Sequence, residues 1–115
     1  MSRVRLIEPQ AEPVWLHGFA RLDSSHRLKD VAVFAALALD STSRLTVVNI
    51  DGDRAVLRVD PSGELRMDGR CRLLLGDSLR RSLHIPADGG VLLSANATCQ
   101  ELLVMSCRAI ERLVA

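Results

Sequence analysis

The chain has 115 residues, of which 48% are hydrophobic and 25% are charged, a composition typical of one globular domain and unlike that of a disordered protein. Its net charge of +1 gives no overall attraction to nucleic acid or to an anionic membrane, so binding to either would require a local cluster of charge. The sequence contains no apolar run of roughly 20 residues and no secretory signal pattern, and we therefore expect a cytoplasmic protein without membrane association.

The first half is predicted to begin with an arm or edge strand over 1–16, because its prolines have no amide hydrogen to give to a central strand. A helix is predicted over 31–39, with Asp30 as its N-cap, because an aspartate side chain can accept free amide hydrogens of the first turn. The other predicted elements of this half are strands at 19–22, 44–50 and 54–59, the last two joined by Asp51-Gly52-Asp53. Asp-Gly tolerates positive φ and therefore favours a tight hairpin turn.

After the short joint at Pro61-Ser62-Gly63, the second half is predicted to follow the same order. It should contain a strand at 64–67, a helix at 77–84 with Asp77 as its N-cap, strands at 91–94 and 101–105, and a short helix at 107–114. Leu75, Leu79 and Leu83 lie four residues apart and should share one helix face.

Short segments of the two halves match at a nearly constant spacing. Asp23 and Arg27 recur as Asp68 and Arg72, and later apolar pairs recur at a spacing only one residue longer. We interpret the chain as two diverged copies of one unit, the first over 17–62 and the second over 63–115. Because one copy is too small to bury a sufficient core alone, the copies should pack together or against another chain.

The second copy resembles the AbrB/MazE/SpoVT superfamily of swapped-hairpin DNA-binding domains. The family pattern runs from a strand through Asp, two variable residues, Gly-Arg, apolar residues and Pro to a short helix with one or two Arg, and then Leu-Gly-Ile. Residues 64–93 are ELRMDGRCRLLLGDSLRRSLHIPADGGVLL. The matching positions are Asp68, Arg72, Leu79, Arg80, Arg81, Leu83, Ile85 and Val91. Cys71, Gly76 and His84 depart from the family's Gly, Pro and Gly.

The resemblance covers roughly residues 17–113, and the two-copy arrangement is similar to that of the MraZ proteins and of small two-repeat regulators in actinobacteria. It implies a mainly β fold with short helices, in which two tandem swapped-hairpin repeats form an interleaved β-barrel. It also implies a transcription regulator that binds double-stranded DNA at the nucleoid and forms a homodimer. The hairpins could exchange within one chain or between two chains.

Basic side chains are the candidate DNA-binding residues, because guanidinium groups neutralise phosphates and reach base edges in the major groove. Segment 64–81 is the most basic of the chain, with five arginines against three acidic residues. The candidates are Arg66, Arg70, Arg72, Arg80 and Arg81 of the second copy, and Arg21, Arg27 and Lys29 of the first. We expect the first three to alternate along an extended chain and to project from one face. The alternative is a solvated charged face in which Arg72 pairs with Asp68.

No pattern of an active site or a metal site is found. His17, His26 and His84 lack the spacing of metal ligands or catalytic partners, and the three cysteines form no Cys-x-x-Cys pair. The odd number of cysteines indicates reduced thiols. We therefore expect no enzymatic activity, no cofactor and no metal ion.

Two other functions stay open. An antitoxin of the MazE kind would hold a toxin with the same domain, but the acidic tail expected of such proteins is not found after Met105. A partner-docking or oligomerisation module without DNA binding is favoured by the near-neutral charge and by the first copy, which has Phe34-Ala35 where the second has Arg80-Arg81. The same difference indicates that the second copy binds DNA more strongly, or that the first is mainly scaffold.

Overall fold

The computed structural model describes residues 15–108 as eight strands and two short helices. In chain order these are β1 Trp15–Arg21, β2 Arg27–Leu28, α1 Val31–Ala36, β3 Arg44–Asp51, β4 Arg54–Val59, β5 Leu65–Arg66, β6 Leu73–Leu74, α2 Asp77–Ser82, β7 Gly90–Asn96 and β8 Glu101–Ser106. The predicted arm, except for its last two residues, and most of the predicted helix at 107–114 lie outside this range. The prediction of a mainly β protein with short helices is confirmed.

Six strands form one curled antiparallel sheet, a half-barrel with the strand order β1-β7-β8-β4-β3-β5. The remaining strands, β2 and β6, pair with each other as a separate two-stranded ribbon. No helix in the described range is long and apolar enough to cross a membrane.

The pairing of strands crosses between the two halves of the chain. β1 of the first half pairs with β7, placing Arg21 opposite Gly90, and β5 of the second half pairs with β3, placing Arg66 opposite Arg44. The two hairpins, β3-β4 and β7-β8, join side by side through β4 and β8. The halves therefore share one sheet.

One core lies between the sheet, the two helices and the ribbon. It contains aliphatic side chains of both halves that are less than 2% exposed, among them Leu28, Leu45, Leu57, Leu73, Leu83, Leu93 and Leu102. Leu75, Leu79 and Leu83 are buried, with exposures of 1%, 7% and 0%, but the predicted shared helix face is wrong, because only Leu79 lies within α2. Leu75 itself precedes the helix, which begins at Asp77.

Both helices end earlier than predicted, for one physical reason. The backbone takes a left-handed conformation shortly after each helix, with φ of 54° at Ala38 and 59° at His84, and this conformation cannot continue a right-handed helix. The N-cap prediction for Asp30 is confirmed, because its carboxylate accepts a hydrogen bond from the Val33 amide at 3.0 Å.

The N-cap prediction for Asp77 is wrong. Gly76, with φ of 84°, occupies the N-cap position without a side-chain bond, and Asp77 is the first helical residue. Its carboxylate lies near the amino end of the helix, where negative charge is favourable, and it pairs with arginines one turn later. The two helices therefore begin differently, although they occupy matching places in the sequence.

The strand predictions differ from the structure mainly in length. β7 continues two residues beyond the predicted strand, through Ala95 and Asn96, because both side chains are buried in the sheet. β5 has only two residues, and Met67 forms an isolated bridge with Leu73. The predicted hairpin is present, with Gly52 at φ 63° in the turn between Asp51 and Arg54.

Candidate nucleic-acid interface

The two Asp-x-x-x-Arg segments fold into turns with the same backbone hydrogen bonds. The Asp23 amide donates to the Arg27 carbonyl at 2.9 Å, and the Asp68 amide donates to the Arg72 carbonyl at 2.9 Å. The residue before each arginine is left-handed, with φ of 59° at His26 and 57° at Cys71. Cys71 occupies the position at which the resemblance expects glycine, the residue that adopts this conformation without strain.

The aspartate side chains hold these turns. Oδ1 of Asp23 accepts hydrogen bonds from the amides of Ser25 and Arg27 at 2.8 and 2.9 Å, and Oδ1 of Asp68 accepts from the amides of Arg70 and Arg72, both at 2.9 Å. These bonds favour the ionised carboxylates. The pKa of each aspartate is lowered, with the backbone hydrogen bond from Arg27 or Arg72 as the largest cause and the guanidinium of the same arginine adding to it.

The second carboxylate oxygens form an ion-pair cluster across the ribbon, which we call the central cluster (Asp23, Arg27, Asp68 and Arg72). Each arginine Nε donates to the aspartate of its own turn, at 2.9 Å for Arg27 and 2.8 Å for Arg72. Each arginine also approaches the aspartate of the other turn, at 3.5 Å for Arg27 and 3.8 Å for Arg72. The cluster has no net charge, and both guanidiniums are engaged in holding the two halves together.

The expectation that Arg66, Arg70 and Arg72 alternate along one extended strand is wrong. β5 ends at Arg66, and the chain turns at 69–71 because the Asp68 carboxylate binds the amides that follow it. Arg66 is exposed at the edge of the sheet, Arg70 is exposed at the tip of the turn, and Arg72 is half-buried in the central cluster.

Lys29 lies beside Arg70 although the two residues belong to different halves. The Lys29 ammonium donates to the Arg70 carbonyl at 2.9 Å. The Arg70 side chain has no ion-pair partner among residues 15–108 and is exposed. We call this place the Lys29 end (Lys29 and Arg70).

The neighbouring arginines of α2 have different surroundings. Arg80 is mostly buried, donates to the Ile85 carbonyl at 2.9 Å and to Asp77 at 2.7 Å, and its Nε is buried without a hydrogen-bond partner in the described range. The Arg81 side chain is 73% exposed and contacts Asp77 at 2.8 Å. The pKa of Asp77 is lowered, chiefly by the hydrogen bond from Arg80. Arg80 is therefore placed to fix the end of the helix, and Arg81 to reach outward.

His26 also lies on the surface beside Arg81, which the sequence did not predict. Its Nδ1 lies 3.9 Å from an Asp77 carboxylate oxygen, and its carbonyl accepts a hydrogen bond from the Leu75 amide at 3.1 Å. The turn of the first half thus touches the start of α2. We call this place the Arg81 end (His26, Asp77 and Arg81). The only available signal was that His26 and Cys71 hold matching places in the two turns.

Asp53 has a second role that its turn position did not indicate. Its side chain is 3% exposed, and Oδ1 lies 3.1 Å from Nδ1 of His84, which follows α2. The two residues are 31 positions apart, and no local pattern connects them.

In the described range no group of three or more His, Cys, Asp or Glu side chains is placed to hold a metal ion.

Comparisons with protein-family models, with curated proteins and with solved structures found no match to this chain.

Proposed function

We propose that the chain is a transcription regulator that binds double-stranded DNA through a basic strip built across the β2-β6 ribbon. The strip consists of the Lys29 end, the central cluster and the Arg81 end, with Arg66 near it in sequence at the edge of the sheet. Its exposed cations, Lys29, Arg66, Arg70 and Arg81, would contact phosphates and base edges. Arg27, Arg72 and Arg80 would position the strip, because their guanidiniums are engaged with carboxylates and their side chains are at most 26% exposed. Arg81 also pairs with Asp77, but its side chain is 73% exposed.

The observation that carries the proposal is the repeated aspartate turn. Two turns with the same hydrogen bonds face each other across a ribbon in which Leu28 pairs with Leu73, the two residues that follow the matching arginines. Together with the strand pairs that cross between the halves, this supports two tandem swapped-hairpin copies that exchange their first strands within one chain. In the resembling superfamily such a unit binds DNA.

A second observation supports an anionic partner. Four exposed cations stand at or near the strip, whereas its aspartates are already engaged: Asp23 and Asp68 by backbone amides and arginines, and Asp77 by Arg80 and Arg81. A duplex approaching the strip would therefore meet cations at both of its ends. We assign no catalytic residue, metal ion or cofactor, and DNA binding would place the protein in the cytoplasm at the nucleoid.

A gel-shift titration with the duplex upstream of the protein's own gene tests the proposal. We expect retention at low salt and a lower affinity in Arg70→Ala and Arg81→Ala. In Lys29→Ala the log–log salt slope should become shallower by roughly 0.9 for each phosphate contact removed. Arg58→Ala is the matched control, because Arg58 is also exposed but pairs with Glu101 on the sheet.

Wild-type affinities in Arg70→Ala and Arg81→Ala, together with a wild-type salt slope in Lys29→Ala, would contradict the proposal. Failure of the wild type to retain DNA at low salt would favour the partner-docking module instead.

A further inference from the structure

The contacts of the strip are exchanged between the two halves. The turn of the first half touches α2 through His26 and Asp77, whereas the turn of the second half lies beside α1, where Lys29, Phe34 and Cys71 line one groove. Each end of the strip therefore combines the turn of one copy with the helix of the other. The strand pairing of the ribbon is symmetric about Leu28 and Leu73, the residues that follow the two matching arginines.

The cations do not follow this symmetry. At the Arg81 end the cation stands on the helix, and the tip of the adjoining turn carries Ser25, which is uncharged. At the Lys29 end the cation stands on the turn, as Arg70, at the position that matches Ser25. The adjoining helix there presents Val31 and Ala35, both exposed and apolar.

The two ends would therefore bring different chemistry to a duplex. Arg81 and Arg70 have planar guanidiniums that can make paired hydrogen bonds to a guanine edge, but one extends from a helix and the other from the tip of a turn. The Lys29 ammonium, held by the Arg70 carbonyl, is a point charge suited to a phosphate. The acidic groups facing these cations also differ, since Asp77 contacts Arg81 and no carboxylate in the described range contacts Arg70.

We infer that one chain binds duplex DNA in a single orientation, on a non-palindromic site whose two arms are read by different arginines. One arm is read by Arg81 from α2, and the other by Arg70 from the turn, with Lys29 on the adjacent phosphate. A palindromic site reflects exact two-fold symmetry in the protein that reads it, and the side chains here break that symmetry. This inference rests on the proposed function and adds the class of DNA site.

The test is selection from a random duplex library with the wild type and with the variants Arg70→Ala and Arg81→Ala. The mass of each complex in solution gives the number of chains bound per duplex, and this number shows which part of the selected motif belongs to one chain. We expect a non-palindromic motif per chain. Arg81→Ala should lower the preference for a base in one arm only, and Arg70→Ala should lower it in the other arm only, each by roughly 5-fold to 150-fold.

The controls separate a loss of contact from a loss of fold. Both arginines are exposed, so the thermal unfolding of the two variants should match that of the wild type, and Arg58→Ala should select the wild-type motif. A palindromic motif per chain, or equal relaxation of both arms by either variant, would overturn this inference and leave the proposed function standing. Binding without any enriched motif would also overturn it, and no binding at all would overturn both.

Discussion

At the scale of single residues, the two turn aspartates are central to the account. Each carboxylate accepts hydrogen bonds from two backbone amides and from Nε of the arginine in its own turn, and these bonds lower the pKa of Asp23 and Asp68. A carboxylate whose pKa is lower in the folded than in the unfolded state stabilises the fold above its unfolded pKa, about 3.9 for aspartate. This stability is lost as the pH falls through the lower folded value.

We therefore expect the free energy of unfolding, measured by urea titration, to be nearly constant from pH 7 to about pH 5 and to fall below about pH 4. Asp68→Ala should be less stable than the wild type at pH 7, and the difference between the two should shrink as the pH falls below 4. A difference that stays the same at pH 3 and pH 7 would show that the carboxylate charge of Asp68 does not stabilise the turn.

At the scale of elements, the close approach of α1 to β1 depends on a residue without a side chain. A Cβ atom at Gly18 would overlap the Asp30 carboxylate and the Val33 side chain, so the first turn of the helix lies directly on this strand. Gly69, in the turn of the second half, would place its Cβ in open space. A methyl group should therefore destabilise the fold at Gly18 and have little effect at Gly69.

We expect Gly18→Ala to lower the free energy of unfolding by about 1–3 kcal/mol, the usual cost of overpacking. Gly69→Ala, the matched control, should change it by less than about 0.5 kcal/mol. Urea denaturation followed by far-UV circular dichroism measures both values, and equal effects of the two substitutions would contradict the packing described here.

Local sequence patterns predicted the elements that depend on local chemistry. The Asp30 cap and the Asp-Gly hairpin each follow from neighbouring residues. The early helix ends did not, because Ala38 does not favour left-handed backbone and a histidine stands at 84, where the resemblance expects glycine. The contact of His26 with Asp77 and the burial of Arg80 also could not be predicted, since both depend on how distant segments meet.

At the scale of the whole molecule, the halves share strands, core and ion pairs. β4 and β8 join the two hairpins, and the central cluster joins the two turns. Neither half has a complete sheet of its own, because each first strand pairs with the hairpin of the other half. The molecule should therefore unfold as one unit.

Trp15 on β1 is the single tryptophan of the chain, and its fluorescence reports on the edge of the sheet. We expect its urea transition to coincide with the transition seen by far-UV circular dichroism. Leu57→Ala in the first half and Leu102→Ala in the second should each lower the free energy of unfolding by about 2–5 kcal/mol. Both signals should report the same loss. Two separate transitions would contradict a shared core.

The expected homodimer stays a prediction, which the mass in solution tests.

The central claim, that the strip across the β2-β6 ribbon binds duplex DNA, is tested most directly by amide NMR. A ¹⁵N-labelled chain is titrated with a short duplex at two salt concentrations. We predict shift changes confined to residues 23–29, 66–72 and 77–81 that weaken as salt rises, with Arg58 and Glu101 unchanged. Changes centred on β4 and β8, or no change at low salt, would contradict it.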